Sequence, residues 1–192
     1  MKLIGLTGGI GCGKTTVLEV FKSLGVPAFV ADRHGAAYYD DPLFCQSIRA
    51  LFGDKVFRHD GSVDKTAIAQ IVFNQKDKLQ QLNALVHPRV MNDFKLWAQQ
   101  QTSPYVIFES AIIYEYALQD HFDAVIAVYL EKEERIKRLI LRDNSTRQMI
   151  EARMRNQLSA EEKMDRADYV VLNYEGNPRM RQVAYIDRLL RS

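Results

Sequence analysis

Gly8-Gly9-Ile10-Gly11-Cys12-Gly13-Lys14-Thr15 has almost no side chain to pack and carries a lysine near its end. The spacing fits G-x-x-x-x-G-K-[ST], the phosphate-binding P-loop. Glycines let backbone N–H groups turn inward around phosphate oxygens. A helix opening at Lys14 adds unpaired N–H groups and the positive end of its dipole. Lys14 can reach the β- and γ-phosphates, Thr15 can hold Mg²⁺, and Thr16 continues the same turn. These residues, Gly8 to Thr16, predict binding of a nucleoside triphosphate.

Other residues could complete that chemistry. Asp32 follows the second apolar stretch, so in a parallel sheet it lies at the same carboxyl edge as the glycine run. A carboxylate there can take a proton from an attacking hydroxyl or face Mg²⁺; it can equally cap the next helix. Glu109 ends the third stretch at that edge and Glu115 follows it. Either orients Mg²⁺ or substrate, or caps a turn. His87-Pro88 reads as a helix start with proline at its first position. Arg135, Arg138, Arg142, Arg147, Arg153 and Arg155 crowd one helical pair. Such a run is a solvated face or a closing lid that neutralises a transferring phosphoryl group. Cys12 and Cys45 read as inert small residues, and Met91 and Trp97 as packing.

The elements that must position these groups follow from the apolar pattern. Lys2–Thr7, Val26–Val30, Tyr105–Ser110, Ala124–Leu130 and Asp168–Asn173 are short apolar runs, the pattern of buried strands. Helices are expected over Lys14–Gly25, Glu131–Arg142, Thr146–Gln157, a short stretch after the Ser159–Glu162 capping box, and Asn177-Pro178 to Leu190. Residues 32–101 read as mostly helical, with breaks at Pro42, Asp60-Gly61 and His87-Pro88. Strands alternating with helices imply an α/β fold, a P-loop NTPase core around a parallel five-stranded sheet. The expected division is a core of about 1–31 with 104–137 and 167–192, a helical substrate lobe of about 32–103, and a helical lid of about 138–166.

Composition narrows the partners. The 192 residues are 47% hydrophobic and 26% charged, and 26 basic against 24 acidic side chains leave a net charge of +2. Nothing there argues for nucleic acid or an anionic membrane, so small-molecule substrates are expected. No run approaches a membrane span and no signal peptide is apparent, and two cysteines suit a reducing cytoplasm. A monomer and a small homo-oligomer stay equally open.

Taken in order, "GLTGGIGCGKTT", Asp32 after "VPAFVA", "LVHPRV", "ESAIIYE", "RDNSTRQMIEARMRNQ" and "ADYVVLN" resemble the dephospho-CoA kinase family. The resemblance spans nearly the whole chain. The His-Pro pair, the Arg-Asp…Arg…Gln stretch and the late Asp-x-Val-x-x-Asn are its more specific parts. It implies transfer of the γ-phosphoryl of ATP, with Mg²⁺, to the ribose 3′-hydroxyl of 3′-dephospho-CoA, the last step of coenzyme A synthesis. It makes Asp32 the general base, puts His87 in the acceptor lobe and Arg142 on phosphates, and sets Asn173 near the adenine. The chain departs from the family pattern in places. Val30 replaces the first carboxylate of the usual Asp-x-Asp, and Ala36 and Ala37 stand where an arginine is common. Glu109 and Ala111 replace the usual Asp and Pro.

Two other readings compete. A nucleoside or nucleoside-monophosphate kinase shares the loop and the lid but needs only a mononucleotide pocket. A nucleotide-dependent switch would want a guanine-reading Asn-Lys-x-Asp stretch, which the sequence lacks.

Overall fold

In the computed structural model, which describes residues 1–192, five short apolar stretches pair as one parallel sheet. They are β1 (Lys2–Thr7), β2 (Ala28–Val30), β3 (Tyr105–Glu109), β4 (Ala124–Tyr129) and β5 (Tyr169–Leu172), in the order β2-β3-β1-β4-β5. The order puts β1, which feeds the glycine run, at the centre of the sheet. Its neighbours pair in register Leu6↔Glu109 and Thr7↔Ala127, so three strands end together beside the loop. Nine helices join them: α1 (Lys14–Ser23), α2 (Ala31–Ala37), α3 (Pro42–Phe52), α4 (Lys65–Asn74), α5 (Lys76–Gln99), α6 (Lys132–Asp143), α7 (Arg147–Met154), α8 (Ala160–Arg166) and α9 (Arg179–Arg191).

The chain divides into two units, Met1–Val30 with Gln101–Ser192, and Ala31–Gln100. In the first, Ile4, Leu6, Tyr105, Ile107, Ile126, Val128 and Val171 of the sheet pack with Val17, Leu18 and Phe21 of α1 and Val183, Ile186 and Leu190 of α9. Successive strand side chains point to opposite faces, so this set fills one face. On the other face Ile113 and Phe122 approach Gly5, and Phe122 packs on Phe108 at 5.3 Å. The stretch from 138 to 166, expected to be a lid, lies wholly in this unit. There α6 and α7 share a small core of Ile136, Leu139 and Ile150 with Ile10 of the glycine loop.

The second unit is helical around Phe44, Ile48, Phe52, Val56, Val63, Ile68 and Leu82. Local signals start its helices, at caps the sequence reading did not name. Asp41 caps α3 ahead of Pro42, and Asp64 caps α4 through Thr66 and Ala67. Gly61 turns the chain at φ 81°, between Phe57 and Val63, which bridge antiparallel. No helix is long and apolar enough to cross a membrane.

Two expectations are corrected. His87-Pro88 does not start a helix: Pro88 lies inside the 24-residue α5. Proline costs a helix the hydrogen bond to the carbonyl four residues earlier. Here that carbonyl belongs to Ala84, and both Ala84 and Pro88 are exposed, so water can serve it. Strand β2 begins at Ala28 rather than Val26, because the Val26 N–H turns back to the Phe21 carbonyl at 3.2 Å and Pro27 has no N–H to give.

One tie between α9 and the sheet runs through a buried tyrosine. The Tyr105 hydroxyl donates to Asp187 at 2.7 Å, and the Arg191 Nε–H is shared between the two oxygens of the same carboxylate. Tyr105→Phe removes one buried hydrogen bond while Asp187 keeps its arginine. Thermal melts should show a loss of about 1 kcal/mol, or about 2–4 °C. An unchanged melting temperature would mean that the bond contributes nothing to holding α9.

Candidate active site

The glycine run leaves β1 at Thr7 and turns into α1 at Lys14. Gly13, the residue before the helix, has φ 87° and ψ 34°, a left-handed conformation that disfavours any residue with a Cβ. A Cβ there would also collide with the Asn173 amide nitrogen. Gly11, at φ 82°, is pressed in the same way: a Cβ added there would come within 2.9 Å of Leu139 of α6. No side chain caps α1 and its first turn holds no acid. Thr15 and Thr16 are exposed. The head of α1 therefore presents unpaired N–H groups beside a bare backbone, the arrangement that binds phosphate.

The loop is shaped by its neighbours. The Asn173 side chain, 1% exposed at the end of β5, donates to the Cys12 carbonyl at 2.7 Å. The family resemblance sets Asn173 near the adenine; its amide nitrogen is spent on the loop, while its Oδ1 is buried without a partner. Arg138 of α6 donates to the Asn173 carbonyl at 3.2 Å. Gln157, just after α7, accepts from the Ile10 N–H at 3.1 Å. Cys12 is buried, and desolvation pushes its thiol above the ordinary range, so it stays a neutral filler.

Lys14 folds back across the start of the loop. Its Nζ donates to the Gly8 carbonyl at 3.2 Å and lies 3.9 Å from the Glu109 carboxylate. Both side chains are largely shielded from solvent. A lysine held this way can exchange a carbonyl for phosphate oxygens with little movement.

The remaining predicted residues fall in different places. Asp32 is the second residue of α2 and exposed; it makes no capping hydrogen bond. It follows Val30, whose register partner on β3 is Glu109. His87 is half-buried on α5, and desolvation lowers its imidazole below the usual range, so it is neutral at pH 7. Glu115 is committed: it pairs with Lys163 at 2.6 Å and accepts from the Leu158 N–H at 3.0 Å. Arg142, in the last turn of α6, has an exposed side chain paired with Asp143 at 2.6 Å; Arg153 joins Asp143 at 2.9 Å. These arginines, Arg142 first, hold the Asp143 carboxyl down to about 2.

Two charged residues are buried here: Lys163, which the sequence reading did not name, and Arg135, which it named only within an arginine run read as a solvated face or a lid. Lys163 of α8 is fully buried and donates to the Ala111 carbonyl at 2.5 Å as well as meeting Glu115. Burial lowers its pKa, against the opposing pull of Glu115. Arg135 of α6 is 6% exposed and lies against Gly9. Both lie on apolar stripes, Lys163 three residues from buried Ala160 and Arg135 four from buried Leu139. A charge on a buried stripe is the signal that marks them.

Two cavities flank the loop. One, of about 460 Å³, opens beside Thr16 and is lined by Asn177, Pro178 and Arg179. The other, of about 420 Å³, is lined by Lys132, Arg135, Arg155, Gln157 and the carboxylates Glu151 and Glu161. No three His, Cys, Asp or Glu side chains converge into a metal cage. A metal here would depend on the Thr15 hydroxyl and on oxygens of its ligand, which suits Mg²⁺.

Asn173 gives the most direct test of the brace. Asn173→Ala strands the Cys12 carbonyl in a buried place, at a cost of about 1–3 kcal/mol. Nucleotide affinity, read by calorimetry, should fall with the melting temperature. Full affinity in the variant would show that the loop keeps its shape unaided.

Comparison with known proteins agrees with this architecture. The family model described as dephospho-CoA kinase matches residues 2–178. A dephospho-CoA kinase of Bacteroides fragilis is 35% identical over 182 residues, covering 94% of this chain and 88% of that one. A crystal structure from Thermus thermophilus superposes with a TM-score of 0.89 at 28% identity, covering 100% of this chain and 98% of that one. The dephospho-CoA kinase of Campylobacter jejuni shares the fold, with a TM-score of 0.68 at 23% identity over 98% of this chain and 96% of that one. A kinase fold, a phosphate loop at the head of α1 and a family match over most of the sequence lead to one conclusion: this chain belongs to the dephospho-CoA kinase family.

Proposed function

We propose that this chain transfers the γ-phosphoryl group of ATP, with Mg²⁺, to the ribose 3′-hydroxyl of dephospho-CoA, giving CoA and ADP. The observation that carries the reading is the bare loop at the uncapped head of α1 with Lys14 folded across it, in a chain of this family. The loop amides and Lys14 bind the phosphates. The adenine enters the cavity beside Thr16. Thr15 holds Mg²⁺, whose chemistry when bound is to draw negative charge from the phosphate oxygens.

Asp32 is the general base. A ribose hydroxyl is a weak nucleophile at neutral pH, and Asp32 is an exposed carboxylate in the first turn after β2. The hydroxyl oxygen attacks the γ-phosphorus in line, its proton passes to Asp32, and the bond to the bridging oxygen breaks to release ADP. Arg142 exchanges Asp143 for the charge on the moving phosphoryl group. Glu109 steadies Lys14 at the start of the loop. His87 belongs to the acceptor side and meets its ligand uncharged. Glu115 acts at one remove, by anchoring α8 through Lys163. The setting is a cytoplasmic enzyme, monomer or small homo-oligomer, that handles small molecules and neither nucleic acid nor membrane.

Asp32→Asn keeps the size of the side chain but cannot take the proton. Single-turnover rates should fall by about 10²–10⁴ while both substrates still bind. With Asp32 outside a capping bond, the melting temperature should hold. A stable variant with the wild-type rate removes Asp32 from the mechanism. Offered AMP, CMP and dephospho-CoA together, the wild type should phosphorylate dephospho-CoA, stop with chelator and resume with Mg²⁺. Preference for a mononucleotide would favour a nucleoside-monophosphate kinase instead.

A further inference from the structure

Arg135 poses a problem of charge. It is 6% exposed, forms no ion pair, and its Nε is buried without a hydrogen-bond partner. A buried cation with no partner costs several kcal/mol, and an apolar residue at this point of the α6 stripe would pack without that cost. Nearby acids are engaged elsewhere. Glu151 pairs with Arg147 and Lys132, Glu161 accepts from the Tyr129 hydroxyl, Glu133 pairs with Arg147, and Glu134 with Lys137.

What the guanidinium does touch is the phosphate loop. A Cβ built on Gly9 would come within 2.5 Å of Nη1, so the charge is pressed against bare backbone. It also lines the cavity of about 420 Å³ shared with Arg155 and with Gln157, which holds the Ile10 N–H. Three cations, Arg135, Arg155 and Lys132, line that cavity beside two carboxylates: Glu151 is paired with Lys132 and Arg147, and Glu161 is held by the neutral Tyr129 hydroxyl. Lys14 lies at the neighbouring Gly8 carbonyl, and a P-loop lysine serves the β- and γ-phosphates.

We propose that Arg135 is a second cation of the triphosphate site, held against Gly9 to bind the terminal phosphate and so to favour ATP over ADP. The proposal rests on the ATP reading above. It explains why a buried charge is kept unpaired: the ligand is its partner, and its cost in the free protein is recovered when the terminal phosphate arrives.

The test is calorimetric titration of ATP and of ADP into wild type, Arg135→Met and Arg135→Lys, with thermal melts of each free protein. Arg135→Met should weaken ATP binding by about tenfold or more, as for a charge-assisted hydrogen bond, and ADP binding much less. Its melting temperature without nucleotide should stay level or rise, since an unpaired buried charge has gone. Arg135→Lys, which keeps the charge, should recover part of the preference for ATP. An unchanged ATP-to-ADP ratio overturns the proposal. So does a methionine variant that fails to fold, or that melts lower and loses both nucleotides equally, for Arg135 is then only a structural support. A wild type that binds neither nucleotide would instead defeat the ATP reading itself.

Discussion

A loop built to surround phosphate has almost no side chains with which to hold its own shape. That constraint organises the rest of the unit around it. Between Gly8 and Gly13 the chain offers backbone, one isoleucine and one buried cysteine, and three of its glycines lie at positive φ. Such a segment is soft unless its surroundings are rigid. Asn173 fastens the Cys12 carbonyl, Leu139 closes the space beside Gly11, and Gln157 holds the Ile10 N–H. The supports come from β5, α6 and the segment after α7, so the binding surface forms only when the whole unit has folded.

The same logic accounts for the buried charges of this unit. Lys163 and Glu115 tie α8 to the loop after β3, and the Leu158 N–H adds a second tether to the same carboxylate. An apolar pair could give equal stability, but it would not set the direction of three polar groups at once. Lys14 and Glu109 form a looser pair at 3.9 Å. The loose pair involves the lysine expected to move onto phosphate, and the tight one involves groups that stay in place.

Much of this was legible in the sequence where the signal is local. The five strands, the glycine loop and the start of α1 follow from short apolar runs and a fixed spacing, and the parallel sheet follows from their alternation with helices. Asp41 and Asp64 cap their helices by chemistry just as local, though neither was singled out beforehand. Pro88 misled because the cost of an internal proline depends on which face of the helix it occupies, a tertiary fact. In the site, the loop residues were readable and their supports were not. Asn173 meets Cys12 across 161 residues. Arg135 belonged to a visible arginine run, but its burial is decided by packing against Gly9, and Lys163 looked like one charge among several on a short polar helix.

In the proposed reaction the loop at the head of α1 delivers a phosphoryl group to one hydroxyl of one acceptor. The direct measurement follows the phosphorus: ATP labelled at the γ-position is incubated with the protein, Mg²⁺ and dephospho-CoA, and the labelled product is located by mass spectrometry. Label is expected on the ribose 3′-oxygen of CoA, with one ADP formed for each CoA and almost none when the acceptor is left out. Label recovered as inorganic phosphate, or ADP formed at the same rate without dephospho-CoA, would contradict it.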